Sequence, residues 1–537
     1  MTQESTADVL ISGAGAAGLA LAIDLARRGV DFRLIDKAET PFRGSRGKGI
    51  QPRSLEVFED YGIVDRLFAT GGPYPPIREY RTDGSFADAP ISDARGPTPA
   101  EPYSAPLMVP QFLTERVMRE RLAELGHQVE FGRELTGFSQ DAEGVTAQVG
   151  GEVVRTRYLV GADGGRSFVR HSLGIDFRGE TLGVRAIVAD VELEGIGRDA
   201  WHRFGSEIRQ ILLCPLAGTE LFQVQGAVPL EGYIDVTAEG LTALVAERTC
   251  RDIVIRSVIW ASVYSMNARL ADHYRVSRVF LAGDGAHIHP PTGGQGLNTS
   301  VQDSYNLGWK LAAVLGGAPE KGLATYEEER RPIAGGMLGL ATRLLDEGKQ
   351  GVMRRGRETR QLDLGYPGTS LALQSREPDG VRAGDRAPDA PVRGAAGQST
   401  SLFSLFRGPH WTLLGYKAGG TAFLPRPGLH VHIAGRRGDV VDDSGHFRDA
   451  YGLSPGDWVL IRPDGYVGAI VGVDDVSALE RYLREVGVVL GRRVEKERAD
   501  GAGPEAALAT GHACIHFTPA RHAVTSMNSH PGATASK

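Results

Sequence analysis

The chain has 537 residues, of which 41% are hydrophobic and 23% charged, and its formal net charge is −6. A chain of this length is too long to fold around a single hydrophobic core, so roughly three domains are predicted. The slightly acidic net charge and the lack of a long basic run disfavour nucleic acids and anionic membranes as partners. A polar N-terminus, no apolar run of about 18 residues and three cysteines without metal or redox spacing predict a cytoplasmic protein that acts on small molecules.

The first chemical motif is a glycine-rich turn between an apolar strand and a helix. Val9 to Ser12 is predicted to be the strand, and the pattern from Leu19 to Arg28 is helical. The GxGxxG sequence between them allows a tight turn, close approach of a pyrophosphate, and close packing of the helix on the strand. The residues expected to contact a dinucleotide here are Gly13, Gly15, Ala16, Ala17 and Gly18.

An acidic residue ends the next predicted strand, Asp31 to Ile35. Asp36 follows Gly18 by eighteen residues, a position at which a carboxylate accepts hydrogen bonds from a ribose 2′-OH. Lys37 is assigned to the same site. A glycine-rich turn without ligand is the alternative, but the strand, the helix and Asp36 together favour dinucleotide binding.

A basic, glycine-rich loop comes next. It contains Arg46 and Lys48 and precedes a helix predicted to start near Pro52; it either lies over a phosphate or flavin edge or is solvated. Residues 71 to 106, rich in Pro, Gly and Asp, are predicted to form an excursion that begins a substrate-covering sheet. Gln111 opens the following helix, where its side chain could reach a bound cofactor.

A second strand end also carries an acid. A predicted hairpin around Gly150 and Gly151 leads into the sequence GADGGRSFVRHSLG, in which Asp163 follows the strand and a basic helix comes next. We therefore expect an acid, backbone amides and guanidinium groups to converge there. A plain Asp-Gly turn is the alternative.

The third strand end lies in the segment Val279 to Trp309. An apolar strand stops at a glycine, an aspartate follows, and a loop rich in Gly and Pro leads into a helix predicted to begin at Leu297. Such a loop leaves N–H groups free to face an anion or a heteroaromatic ring, and the helix N-terminus favours negative charge. The residues placed in this site are Gly283, Asp284, Pro290, Pro291, Gly293, Gly294, Gln295, Gly296, Leu297 and Asn298.

For the remaining regions, only secondary structure is predicted, from the pattern of apolar residues. Residues 181 to 265 are predicted to be mostly β, and helices are predicted to about residue 345, the last with Pro332 at its start. Charged residues 346 to 362 are expected to extend this helical region. Beyond a linker at about 375 to 400, strands and helices alternate, and the tail from residue 499 is expected to be mobile.

The three strand-end motifs resemble those of the single-component FAD-dependent aromatic hydroxylases, the group A flavoprotein monooxygenases, over about residues 7 to 350. The last part is similar to the thioredoxin-like domain of phenol hydroxylase and of hydroxylases acting on polyketides, although it has no CxxC. The resemblance implies an α/β fold with a Rossmann-like FAD-binding domain, a β-sheet substrate domain and a C-terminal thioredoxin-like α/β domain. The implied boundaries are 1–180 and 266–375 for the FAD-binding domain, with an excursion at about 71–108, then 181–265, 385–498 and a mobile tail at 499–537.

The resemblance also implies roles for the motifs. In this family the first motif binds the ADP part of FAD, the second touches FAD and the nicotinamide cofactor, and the third holds the ribityl chain. Asp284 would therefore hold the ribityl hydroxyls, and Arg46 and Gln111 fit FAD contacts of the family. Asp36 departs from the pattern, since Glu is more frequent there. The residues expected to line the flavin ring, where the chemistry occurs, are Pro290, Gly293, Gly296, Leu297 and Asn298.

The implied reaction is hydroxylation of a phenolic or polycyclic, polyketide-like ring. NADPH, or NADH, would reduce tightly but non-covalently bound FAD, O2 would add at flavin C4a, and the hydroperoxide would transfer an OH group. The nicotinamide cofactor is expected to dock transiently near Arg46 and Asp163. The alternatives are Baeyer–Villiger oxidation, antibiotic-inactivating hydroxylation, and non-catalytic FAD binding.

Further expectations concern bases, metals and assembly. The candidates for a protein base are His202, Arg203, Tyr264 and His287, and a structural or surface role is the alternative for each. No metal is expected, because the histidines have no third ligand at suitable spacing. The protein is expected to be a monomer or a homodimer.

Overall fold

The computed structural model describes residues 4–93, 96–206, 209–349, 355–374, 380–419, 423, 425–436 and 438–489. All of them belong to one compact unit, Met1–Gly491. The tail predicted to be mobile, 499–537, and residues 375–379 of the predicted linker lie outside the described residues.

The N-terminal part alternates strands and helices, as the apolar runs and glycine stops predict. Its elements are β1 Glu4–Ser12, α1 Ala16–Arg27, β2 Phe32–Asp36, β3 Gly49–Ile50, α2 Pro52–Asp60, α3 Val64–Thr70, β4 Gly72–Pro73, β5 Ile77–Tyr80, β6 Phe86–Ala89, β7 Leu107–Met108, α4 Gln111–Glu124, β8 Glu130–Phe131, β9 Leu135–Gln140, β10 Val145–Val149, β11 Glu152–Gly161 and α5 Phe168–Ser172.

Long strands and then long helices make up the middle of the chain. Its elements are β12 Phe177–Glu194, β13 Trp201–Phe204, β14 Ile211–Pro215, β15 Phe222–Val228, α6 Ala238–Thr249, β16 Val254–Ala271, β17 Arg275–Val276, β18 Val279–Leu281, β19 His287–Ile288, α7 Gly296–Leu315 and α8 Thr325–Lys349, with short 3-10 turns at Gly283–Gly285 and Thr292–Gly294.

The C-terminal part forms a sheet with three short helices. Its elements are β20 Leu373–Gln374, β21 Pro391–Gly394, β22 Ser399–Ser401, α9 Leu402–Phe406, β23 Trp411–Tyr416, β24 Leu429–Ala434, β25 Val440–Val441, α10 His446–Tyr451, β26 Trp458–Ile461, β27 Val467–Val471 and α11 Val476–Glu485.

The first sheet brings the three predicted strand ends to one edge. Its strand order is β17-β18-β11-β1-β2-β8, and β1 runs parallel to β2 and β11, which in turn runs parallel to β18. Next to one edge these strands are mostly apolar and buried, at Val9–Ser12, Tyr158–Gly161 and Val279–Leu281, as expected for parallel strands covered on both faces. Because parallel strands end at the same edge, Ser12, Asp36, Gly161 and Leu281 lie side by side there.

The middle sheet packs one apolar face against α6. Its order is β19-β16-β12-β15-β14-β13-β5-β6, so two strands of the excursion at residues 77–89 join it. Ile187, Ala189 and Val191 of β12 pack with Leu241 and Val245 of α6 in one buried cluster. Since side chains alternate along a strand, the other face of β12 is turned away from α6.

The C-terminal sheet packs on α7. Its order is β20-β27-β26-β23-β24-β25-β21-β22, and its core contains Trp411 and Trp458 together with Trp309, which belongs to α7. The α/β class predicted from the sequence is confirmed. Across the described ranges, no helix is both long and apolar enough to cross a bilayer.

Two helix predictions after residue 315 were wrong. Pro332 lies inside α8 rather than at a helix start, and its exposed position lets water satisfy the carbonyl that lacks an N–H partner. The helical extension predicted over residues 346 to 362 ends at Lys349, and the described part of that stretch contains only a short 3-10 turn at Arg357–Arg360. Gly356 before that turn is extended, which interrupts a helix.

Candidate active site

The glycine turn after β1 leaves space for a ligand. Gly13 has φ +106°, and a Cβ there would lie 2.3 Å from the Ala162 carbonyl oxygen, so only glycine fits. Around Gly15 the nearest atom to such a Cβ is a Glu115 oxygen at 3.9 Å. The N-cap residue Gly15 has no side chain to cap α1, and the Ala16 N–H is hydrogen-bonded to the Glu115 carboxylate of α4. Space for an anion therefore remains beside Gly15 and the other N–H groups of this turn.

Asp36 lies next to this turn. Its Oδ2 accepts a hydrogen bond from the Ala14 N–H at 2.8 Å, and its Oδ1 accepts one from Ala38 at the same distance. The carboxylate is therefore fixed at the end of β2, beside the first motif. Lys37 is exposed, whereas Ala16 and Ala17 are buried in the first turn of α1.

A hydrogen-bonded chain connects the basic loop with α1. The Arg46 N–H donates to Gln111 Oε1 at 3.2 Å, and Gln111 Nε2 donates to Glu115 Oε1 at 2.9 Å. Burial raises the pKa of Glu115, and the hydrogen bond from Gln111 partly offsets this. The sequence analysis missed Glu115; its position one helical turn after Gln111 is the only signal for it.

Asp163 joins the second motif to the third. Its Oδ2 accepts from the Val169 N–H at 3.1 Å, whereas its buried Oδ1 has no partner among the described residues. Arg170, whose Nη1 donates to the Gly285 carbonyl at 2.9 Å, holds the two motifs together. The Asp163 carboxylate is thus held inside the second motif, with its unpaired Oδ1 turned to the buried side near Gly285.

Asp284 lies in a 3-10 turn directly after β18. Its side chain is accessible to solvent, yet the surrounding protein desolvates it enough to raise its pKa. An accessible but desolvated carboxylate lies inside a cleft rather than on the outer surface. The adjacent Gly283 has φ +61° and packs against Ala17, so the turn also contacts α1.

Four amide side chains brace the loop between residues 290 and 296. Asn298 Nδ2 donates to the carbonyls of Gly294 at 2.7 Å and Gly49 at 3.0 Å, and its Oδ1 accepts from the Gln51 N–H at 2.8 Å. Gln51 Nε2 and Gln295 Nε2 both donate to the Gly293 carbonyl, and Gln295 Oε1 accepts from Gln361. The side chains of Gln295 and Asn298 are therefore occupied, and only their backbone N–H groups are left to face a ligand.

This brace leaves the start of α7 open. No side chain caps α7, and a Cβ at Gly296 would meet no atom within 4 Å. Pro290 is buried, Leu297 is half-buried and Pro291 is exposed. The sequence analysis missed Gln51 and Gln361, because the partners of each are distant in the chain.

Two of the candidate bases are structural. His287 is fully buried, and its Nε2 lies 2.7 Å from Asp303, which also accepts from Arg330 Nε at 2.8 Å. His202 is buried between the Tyr80 hydroxyl at 3.0 Å and the Gly197 carbonyl at 2.8 Å, and burial lowers its pKa. Neither ring faces the cleft.

The other two candidates lie on the middle sheet. Arg203 is buried near Glu79 at the far end of the sheet. Tyr264 shares a face of β16 with Trp260, whose ring would lie 2.3 Å from a Cβ on Gly44 and therefore faces the basic loop. Tyr264 is half-buried, and desolvation raises its pKa to about 12. Of the four candidates, only Tyr264 is placed near the cleft.

A wide groove borders α8 and the ends of β12 and β16. Its volume is about 810 Å3, and its walls include Glu180, Ala268, Gly335, Thr342 and Arg343. Among the described residues, no group of three or more His, Cys, Asp or Glu is placed to hold a metal ion.

The chain is similar to known flavin-binding proteins in sequence and in structure. The family described as "FAD binding domain" matches residues 6–341. A flavin-dependent monooxygenase of Mycobacteroides abscessus is 41% identical over 476 residues, which cover 86% of this chain and 96% of that protein. The 12-dehydrotetracycline 5-monooxygenase/anhydrotetracycline 6-monooxygenase of Streptomyces rimosus subsp. rimosus is 34% identical over 86% of this chain and 94% of its own length. The crystal structure of aklavinone-11 hydroxylase with FAD and aklavinone is 26% identical, with a TM-score of 0.77 over 90% of this chain and 99% of that one.

Proposed function

Because the chain belongs to the FAD-binding, flavin-dependent monooxygenase family, we propose that it hydroxylates a phenolic or polycyclic aromatic substrate at the expense of NAD(P)H and O2. The observation that carries this proposal is the convergence of three strand-end motifs on one edge of the first sheet, with the basic loop joining that edge to the face of the middle sheet turned away from α6. Ligands of open α/β sheets bind at this edge.

The residues at this edge fit FAD. Two uncapped helix N-termini, those of α1 and α7, suit the pyrophosphate and the electron-rich pyrimidine edge of the flavin. Gly15 and Gly296 leave room for close approach of the backbone, and Asp284 presents a carboxylate to the cleft. We assign Gly13 to Gly18 and Asp36 to the ADP part and Asp284 to the ribityl chain.

The protein supplies position and environment, while the bound flavin supplies the oxygen and hydride chemistry. The backbone N–H groups from Gly296 to Asn298 would stabilise negative charge on the ring, and the amide brace holds them in position before the reaction. Trp260 and Tyr264 lie on the sheet face toward the basic loop, where an aromatic substrate would stack. An ionised phenol activates its own ring, and Tyr264, with a pKa raised to about 12, keeps its own proton and does not accept that of the substrate, so Tyr264 is assigned to substrate orientation.

The remaining assignments concern the reductant, the partners and the location. NADPH or NADH docks transiently near Arg46 and Asp163, and O2 is the second substrate. The groove of about 810 Å3 has the volume of a small-molecule site and would admit the outer rings of a polycyclic compound. We further propose a cytoplasmic monomer or homodimer.

The direct test is a substrate screen on the purified protein. NADPH consumption and peroxide release are measured together against simple phenols, polyketide quinones and aromatic antibiotics, and products are identified by NMR. We expect a yellow protein whose NADPH oxidation is stimulated by one compound class, with hydroxylated product. A ring-expanded ester would indicate Baeyer–Villiger oxidation instead. Yellow protein without stimulation would indicate non-catalytic FAD binding, and colourless protein that takes up no FAD would contradict the family role.

A further inference from the structure

A buried lysine lies between the basic loop and the middle sheet without a carboxylate in contact. Lys48 Nζ donates to Gln223 Oε1 at 2.6 Å and approaches Gln225 Oε1 at 3.4 Å. The same ammonium group lies 4.4 Å from the centre of the Trp201 ring. Burial lowers the pKa of Lys48, and its other ionisable neighbours are Cys214, Arg355 and, further away, Asp190. Three neighbours from β13 and β15 thus surround one side chain of the loop.

A buried aspartate stands at the other end of the same chain of contacts. Gln223 Nε2 donates to the Ser45 carbonyl at 2.5 Å and lies 3.4 Å from Asp190 Oδ1. Asp190 Oδ2 has no hydrogen bond of ordinary geometry among the described residues, but the side chain and backbone N–H of Ser45 in the loop lie close enough to favour the charged form of Asp190. Gln223 therefore links a cation from the loop with an anion from β12, and it also binds the loop backbone directly.

The segment that Lys48 anchors contacts three parts of the proposed site. Residues 43–49, here called the bridging segment, contact the Gln111 side chain through the Arg46 N–H and the Asn298 side chain through the Gly49 carbonyl. Gly44 packs on the Trp260 ring. The segment thus lies between the dinucleotide motif, the flavin loop and the substrate-facing side of the middle sheet.

We propose that Lys48 and Asp190 are positioning residues that, through Gln223, hold the bridging segment against the middle sheet and so keep water out of the space between flavin and substrate. The exclusion of water matters only if the enzyme oxygenates a substrate there, so this part rests on the proposed function. The holding of the segment does not depend on it.

The first experiment measures the segment itself. Backbone hydrogen exchange is followed in the FAD-loaded protein for wild type, Lys48→Met and Asp190→Asn, with Lys321→Met as a matched control at an exposed lysine. We expect exchange of residues 43–49 to accelerate about tenfold or more in Lys48→Met, and less in Asp190→Asn, while residues 290–298 and the control stay unchanged. Exchange of the segment within twofold of wild type in Lys48→Met would overturn the proposal.

The second experiment separates positioning from simple stabilisation. In Lys48→Met/Gln223→Met the Lys48–Gln223 hydrogen bond is removed from both sides, but the Ser45 carbonyl and Asp190 lose the donor that Gln223 supplied, so thermal stability is expected to return only in part. A merely structural role predicts that exchange of the segment slows in proportion to the stability that returns. The positioning role predicts that exchange stays as fast as in Lys48→Met.

The third measurement concerns coupling in the substrate-stimulated enzyme. We expect the fraction of NADPH that ends as hydrogen peroxide to rise several-fold in Lys48→Met at equal FAD content, and an unchanged fraction would overturn the water-exclusion part. If the wild type oxidises no NADPH with any aromatic compound, the proposed function fails, whereas the exchange data still decide whether Lys48 holds the segment.

Discussion

Two aspartate side chains, Asp284 and Asp36, have the most specific assignments in this site. Asp284 is accessible from the cleft but desolvated, and so is suited to accept hydrogen bonds from hydroxyl groups of a bound molecule. Asp36 differs, because both of its oxygens already accept backbone N–H bonds. A ribose would therefore share Asp36 with the protein, whereas the ribityl chain would have Asp284 to itself.

Replacing Asp284 by Ala tests this assignment. Hydrogen bonds to a charged group contribute about 1.5–3 kcal/mol, so we expect the affinity for FAD to fall about 10- to 100-fold. The measurement is reconstitution of the apoprotein followed by flavin fluorescence. Asp474→Ala, at an exposed aspartate of the C-terminal part, is the control and should bind FAD like wild type. Unchanged affinity in Asp284→Ala would place the ribityl contact elsewhere.

Asp190 gives a pH-dependent prediction. Burial raises its pKa from 3.8 to about 6, so between these values the folded chain holds a proton that the unfolded chain has released. Its contribution to the free energy of unfolding therefore decreases as pH rises through this window and stays low above about pH 6. The side chain of Asp190→Asn cannot ionise, so the variant lacks this decrease in stability with rising pH.

Unfolding of wild type and Asp190→Asn is compared by urea titration from about pH 4 to about pH 7. We expect the stability difference, variant minus wild type, to increase with pH and to level off above about pH 6. A difference independent of pH would show that Asp190 titrates at its ordinary value in the folded protein.

At the scale of elements, the loop before α7 and its amide brace form one unit. Asn298 is fully buried, and its side chain donates to two carbonyls and accepts from one N–H in two separate segments. The uncapped N-terminus of α7 is therefore held in a fixed position by the hydrogen bonds of the amide side chains around it.

Asn298→Ala should loosen this unit. Each unpaired buried group costs about 1–3 kcal/mol, so we expect a loss of several kcal/mol in stability together with weaker FAD binding. Asn298→Asp is the informative companion, because it retains the acceptor for the Gln51 N–H and loses only the two donated bonds. Thermal unfolding with and without FAD measures both effects. Equal melting temperatures for the alanine variant and wild type would contradict the bracing role.

Features set by neighbouring residues could be predicted from the sequence, whereas contacts between residues distant in the chain could not. The strand ends at Gly13, Asp163 and Gly283 could be predicted, because an apolar run that stops at a glycine is a local pattern. Lys48 and Asp190 could not be paired, because their approach depends on the register of β12 against β15, which no local pattern specifies. Pro332 misled the prediction because an exposed proline is tolerated inside α8.

At the scale of the whole molecule, a buried ionic network joins the C-terminal sheet to the helices behind the site. Arg462 donates to Glu329 Oε1 at 2.6 Å and to Asp464 Oδ2 at 2.6 Å, and Lys310 donates to Glu329 Oε2 at 2.7 Å. Burial raises the pKa of Glu329, but Arg462 and Lys310 bring it to about 2. Trp309 Nε1 completes the network by donating to Asp464 at 3.0 Å.

Arg462→Met should be strongly destabilising. Removing one partner of a buried ion network leaves the other charges uncompensated, which costs about 3–5 kcal/mol. Urea or thermal unfolding of the FAD-loaded protein measures this, with Arg484→Met on the exposed side of α11 as the control. If both variants unfold alike, the C-terminal sheet contributes little to the stability of the rest.

One helix spans these two regions. α7 has 20 residues, so it is about 30 Å long, with Gly296 at one end and Asn306, Trp309 and Lys310 further along. The C-terminal sheet is therefore not an interchangeable module. A chimera that takes this sheet from a relative would have to take the matching side chains of α7 and α8 as well, and a shift at that graft would be transmitted along the helix to Gly296 and the loop before it.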